Sequence, residues 1–100
     1  MVILGANTIS SVTVGNASTL IAAANPARKH LRITNLSSEI VYLSEGAAAE
    51  SAKGIPLAPV ASGSPVETGI YETGTDGLLF TGAVYGITAS GSKAVAVKES

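Results

Sequence analysis

The sequence predicts an all-β protein, a single antiparallel β-sandwich, and two observations carry that expectation. Turn signals recur at short intervals: Gly5-Ala6-Asn7, Gly15-Asn16, Asn25-Pro26, Asn35-Leu36-Ser37-Ser38, Gly54, Ser62-Gly63-Ser64-Pro65, Gly74-Thr75-Asp76-Gly77 and Ser90-Gly91-Ser92. Between them lie short runs rich in Val, Ile, Leu, Thr and Tyr, which is the spacing of a sandwich or barrel.

The elements can be justified in chain order. Thr8–Val14 alternates, with Ile9, Val12 and Val14 apolar. Residues 1–18 carry no charged side chain, so this stretch is either a first strand or an arm that orders on a neighbour. Residues 20–24 are Ala-rich and are stopped by Pro26. Leu31-Arg32-Ile33-Thr34 alternates strictly, with Leu31 and Ile33 on one face and Arg32 and Thr34 on the other. Ile40-Val41-Tyr42-Leu43 follows a short polar turn, and the two runs read as a hairpin. Ala47-Ala48-Ala49-Glu50 is a loop with room for a helical turn, too short to be stable alone. Residues 83–89 and 93–98 flank Ser90-Gly91-Ser92 and read as the clearest hairpin, with Gly91 available for a left-handed backbone position. Tyr85 and Ile87 share one face of its first strand, Val95 and Val97 one face of its second.

A chain of 100 residues makes one domain, residues 1–100. Such a domain is marginal unless a disulfide, a metal or oligomerisation helps it. With no Cys and a single His, disulfides are excluded and no structural zinc is expected. A homo-oligomer, or docking on a partner, is what remains. Charged residues are 13% of the chain, against about 25% in typical soluble domains, so much of the surface must be Ala, Gly, Ser and Thr. Such a surface packs closely against another protein. The net charge of −1 steers the molecule toward neither nucleic acid nor an anionic membrane. Met1-Val2-Ile3-Leu4-Gly5-Ala6-Asn7 lacks the basic start and the apolar length of a signal peptide. No stretch approaches the ~20 apolar residues of a membrane span.

The inventory argues against an enzyme. His30, the one histidine, sits among the cations Arg28, Lys29 and Arg32 and has no neighbouring acid in sequence to complete a catalytic triad. No nucleophile elbow, phosphate loop or dinucleotide fingerprint occurs, so no cofactor is expected. Glu67, Glu72 and Asp76 lie close in sequence, but in a Gly/Thr-rich segment where they read equally as solvated charges. The one notable charged feature is the basic cluster at positions 28–32. Arg28, His30 and Arg32 share a face if a strand begins at 28, and they are the candidate partner-binding residues. The competing reading is a strand edge kept soluble by charge, favoured for Lys29. No aromatic is interleaved with these cations, which argues against nucleic acid.

Several segments carry a family resemblance. Ala24-Asn25-Pro26-Ala27-Arg28-Lys29-His30-Leu31-Arg32-Ile33-Thr34-Asn35, Val41-Tyr42-Leu43, Lys53-Gly54-Ile55-Pro56-Leu57, Tyr71-Glu72 and Thr81-Gly82-Ala83-Val84-Tyr85-Gly86-Ile87 resemble, in order and spacing, segments of small virion proteins of tailed bacteriophages. Asn-Pro-x-Arg before a strand and Thr-Gly-x-Val-Tyr-x-Ile before the last hairpin are the motifs. The resemblance implies a jelly-roll-like β-sandwich of the kind used for capsid decoration (cement), head fibres or tail-associated domains. It implies a structural protein that binds the major capsid protein lattice, is itself a homo-oligomer with a trimer favoured, and is found in the virion after assembly in the bacterial cytosol. It carries over no catalytic residue. The alternative it leaves is a tail or head-fibre module that binds host glycan, for which Tyr42, Tyr71 and Tyr85 are the aromatic candidates.

Overall fold

The alternation of β-branched residues with Ser and Thr suits a pleated surface buried on one side, and the computed structural model, which describes residues 8–60, 69–74 and 79–100, bears this out. Within them lie eight strands: β1 (Thr8–Val14), β2 (Thr19–Ala22), β3 (Leu31–Asn35), β4 (Val41–Glu45), β5 (Ile55–Leu57), β6 (Ile70–Thr73), β7 (Val84–Thr88) and β8 (Lys93–Glu99). They form two antiparallel sheets, in the orders β1-β8-β3-β6 and β2-β7-β4-β5. The pairs β1·β8, β2·β7, β3·β6 and β4·β5 are those of one long hairpin with its turn between β4 and β5. The additional ladders β3·β8 and β4·β7 roll that hairpin into two layers. This is jelly-roll topology, and the antiparallel sandwich expected from the sequence is the observed fold.

Both expected hairpins are absent. β3 and β4 lie in different sheets, and so do β7 and β8. Alternation shows that a strand is half-buried but not which strand pairs with it, and here each short connection crosses between layers. Asn35 shapes the first crossing. Its Nδ2 donates to the Glu39 carbonyl at 2.7 Å, and its Oδ1 accepts from the Ser37 amide at 2.9 Å. In the second crossing the residue with left-handed backbone is Ser92 (φ 66°), not Gly91. Residues 47–50 form no helix; the buried Ala49 donates its N–H to Ser18 Oγ at 2.8 Å.

The layers close on one cluster: Val14, Ile21, Ala22, Leu31, Ile33, Val41, Leu43, Leu57, Tyr71, Val84, Val95 and Val97. Val12 and Val14 face it, so Thr8–Val14 is the first strand of its own sandwich. The arm reading survives only for residues 1–7, which lie outside the described residues. β2, β5 and β6 are strands that the sequence pattern did not single out. β2 is short and its register breaks between Leu20 and Ala22, β5 has three residues with Pro56 at its centre, and β6 has four.

Candidate functional site

Strand β3 begins at Leu31, so Arg28 does not share a strand face with His30 and Arg32. The structure gives the three residues different surroundings. Asn25 starts a turn in which its Oδ1 accepts from the Ala27 amide and its carbonyl from the Arg28 amide, both at 3.0 Å. That turn drives Arg28 inward until it is 2% exposed. Its Nε donates to Glu99 Oε2 at 2.6 Å. Nη1 donates to the carbonyls of Phe80 (2.8 Å) and Gly82 (3.0 Å), and Nη2 to that of Ala23 (2.8 Å). The Asn25 amide donates to the Thr81 carbonyl at 2.7 Å. The two sequence motifs, Asn-Pro-x-Arg and Thr-Gly-x-Val-Tyr-x-Ile, therefore meet each other. They build a structural pin, and Arg28 is not a surface contact as the sequence suggested, because its hydrogen bonds are spent within the chain. Gly74 completes this end of the fold: its φ is +99°, and a Cβ there would lie 2.2 Å from the Lys29 carbonyl oxygen.

His30 and Arg32 belong to the outer face of the β1-β8-β3-β6 sheet. His30 Nε2 is 2.9 Å from Glu72 Oε2. Arg32 stands between Glu72 on β6 and Lys98 on β8 in register, and Ile9 on β1 completes the row. The next row on the same face is Ser11, Ala96, Thr34 and Ile70, followed by Thr13 and Ala94. Charge thus gathers at one end of the face, and small or apolar side chains fill the rest. A shallow groove of about 160 Å³ runs between the first two rows, lined by Ile9, Arg32, Thr34, Ala96, Val97 and Lys98. Ile9 is 77% exposed there.

The three tyrosines separate as well. Tyr71 points into the core, and its hydroxyl donates to Glu45 Oε2 at 2.5 Å, linking the two sheets. Burial, reinforced by the Glu45 carboxylate, holds its phenol well above the ordinary range. Tyr42 and Tyr85 are half-buried on the outer face of the second sheet. Tyr42 faces Ile87 and Pro56 across its two neighbours, while Tyr85 faces Leu20 and Ser44. The two residues are diagonal neighbours on β4 and β7, a relation that puts backbone positions about 7–8 Å apart. Tyr85 and Ile87 do share a face, as the alternation indicated, and it is this outer one.

Of the carboxylates considered from sequence, Glu72 is engaged with His30, while Glu67 and Asp76 lie outside the described residues. Sequence reasoning missed Glu39. The Ser90 hydroxyl donates to its Oε2 at 2.6 Å and Lys93 Nζ lies 3.8 Å away. The Ser90 hydrogen bond is the main reason its carboxyl titrates below the usual range. No signal in the sequence joins positions so far apart. It also missed the small-residue rows, which become visible only once β1, β8 and β3 are side by side. Comparison with protein-family models, with curated proteins and with solved structures returned no match.

Proposed function

We propose that this chain is a structural virion protein that decorates and stabilises a bacteriophage capsid by binding the major capsid protein lattice. The reading rests on the sequence resemblance, and the observation that carries it further is the outer face of the β1-β8-β3-β6 sheet. Ser11, Thr13, Ala94 and Ala96 make a face of short side chains that lose little rotamer entropy on docking. Exposed Ile9 and Ile70 supply apolar area, and the Arg32–Lys98–Glu72 row offers polar contacts at one end. A protein that binds the assembled shell and not its separate subunits stabilises that shell by mass action, and many copies on one particle multiply a weak contact. The test is co-sedimentation with shells of the major capsid protein encoded in the same genome. The wild type should pellet with shells, and Ala96→Arg, which raises a long cation in the middle of the face, should stay in the supernatant. If the wild type does not pellet, the proposal is wrong.

A second reading has one observation of its own. Tyr42 and Tyr85 on the outer face of the second sheet form a pair on which a sugar ring can stack. Chemical-shift changes confined to that sheet on titration with a host-surface glycan, lost in Tyr85→Ala, would favour a tail or head-fibre module over decoration.

A further inference from the structure

A sandwich has four edge strands, and an edge with open backbone donors and acceptors pairs with other chains unless something blunts it. Among the described residues, three of the four edges are blunted. β5 has three residues and carries Pro56. β2 has four residues and a register break between Leu20 and Ala22. β6 has four residues and carries Glu72. The fourth edge is β1, and it carries none of these devices. It has seven residues, no charged side chain and no proline, and it pairs with β8 without a register break from Thr8 to Val14. Ile9, Ser10, Ser11 and Thr13 are all exposed along it.

We propose that β1 is an interface between two copies of this chain, which pair β1 to β1 antiparallel about a two-fold axis at Ser11 and join their first sheets into one continuous eight-stranded sheet. The strand is complementary to itself in that register. Ser11 meets Ser11 of the second copy, Ile9 meets Thr13, and Ser10 meets Val12. No like charges face each other, and β-branched side chains stand opposite one another on the outer face, a favourable cross-strand arrangement. Ile9, 77% exposed in one copy, gains a neighbour from the other. A two-fold pair of this kind is isologous and closes on itself, so an uncharged edge yields a defined dimer and not a fibre. The two proposals share the outward side chains of Ile9, Ser11 and Thr13, but the dimer rests on the backbone edge of β1, whereas Ala96→Arg lies on β8 and tests the capsid-binding face without touching that edge. In this proposal the basic unit is a dimer, where the resemblance in sequence implies a trimer.

The chain has no cysteine, so single thiols can be placed at will. Opposed Cα atoms in an antiparallel ladder are about 4.5–5.5 Å apart, within the range a disulfide spans. Ser11→Cys at about 100 μM, the concentration scale of a weak but specific dimer, should therefore oxidise to a covalent dimer in high yield. Thr13→Cys alone should not, whereas Thr13→Cys mixed with Ile9→Cys should. Ser11→Lys should convert the wild-type dimer to monomer in sedimentation equilibrium with an unchanged far-UV spectrum, and an equal mixture with Ser11→Glu should restore the dimer. A wild type that sediments as a monomer at that concentration overturns the proposal. So does a dimer that Ser11→Lys leaves intact, or equal cross-linking of Ser11→Cys and Thr13→Cys, each of which places the contact elsewhere.

Discussion

Replacing Arg28 by Ala removes one guanidinium and strands four acceptors at once: the Glu99 carboxylate and the carbonyls of Ala23, Phe80 and Gly82. Breaking a buried charge pair by deleting one partner typically costs about 3–5 kcal/mol. Glu99 keeps part of its hydration, with its side chain 24% exposed, but the Arg28 side chain is fully buried and its loss also leaves a void. About 4 kcal/mol is the expectation, a large part of the roughly 5–15 kcal/mol that holds a typical domain together. At about 4–8 °C per kcal/mol for a chain of this size, the melting temperature should fall by more than about 12 °C. Arg28→Lys offers a single ammonium to four acceptors spread around a planar fork, so it should recover less than half of the loss. Glu99→Gln keeps an acceptor for Nε at a partly solvated position and should cost only about 1 kcal/mol. Urea denaturation of the three variants, with the slope checked for constancy, measures the series. An Arg28→Ala variant within about 0.5 kcal/mol of wild type, the range of an ordinary surface substitution, would refute the assignment of Arg28 as the pin between the motifs.

Asn35 is fully buried and its Nδ2 donates to the carbonyls of Glu39, Leu57 and Ala58 at 2.7, 3.0 and 3.2 Å. Asn35→Asp is nearly isosteric but turns a carboxylate oxygen toward three carbonyls, so it should destabilise by more than about 3 kcal/mol in chemical denaturation. Glu39 titrates below its ordinary value of 4.5 in the folded state. The unfolded chain then binds the proton first, so stability is present above that pH and is lost as pH falls below it; Glu39→Gln should flatten this acid limb in melts across pH 3 to 6, a range set by the usual carboxylate values of about 4. Tyr71 behaves in the opposite sense. Its phenol is raised above the ordinary 10.0, so stability is retained below that pH and lost as pH rises beyond it. Alkaline melts of Tyr71→Phe should show a shallower loss than those of wild type.

The layer architecture was legible because alternation and turn spacing are local. Leu31 and Ile33 point inward, and Arg32 and Thr34 outward, as the pattern required. Pairing was not legible. The Ser90-Gly91-Ser92 turn looks like a hairpin turn in isolation, yet β7 and β8 go to different layers. What sends them apart is tertiary: the Thr88 amide donates to the Gly15 carbonyl at 3.0 Å and Ser90 is held by Glu39, neither of which has a local signature. The basic cluster shows the same division. His30 and Arg32 do lie together, half-buried, on the outer sheet face, but the Asn25 turn takes Arg28 out of the series and buries it. A run of cations in sequence cannot reveal that one of them has four acceptors waiting for it inside the fold.

The most direct test of the proposed function is the thermal stability of shells built from the major capsid protein of the same genome, heated with and without this chain and followed by loss of intact particles. If the chain is a decoration protein, saturating wild type raises the temperature at which shells break, and Ala96→Arg, folded but altered on the outer sheet face, leaves it where it was. Shells that break at one temperature regardless of wild-type protein would contradict the account.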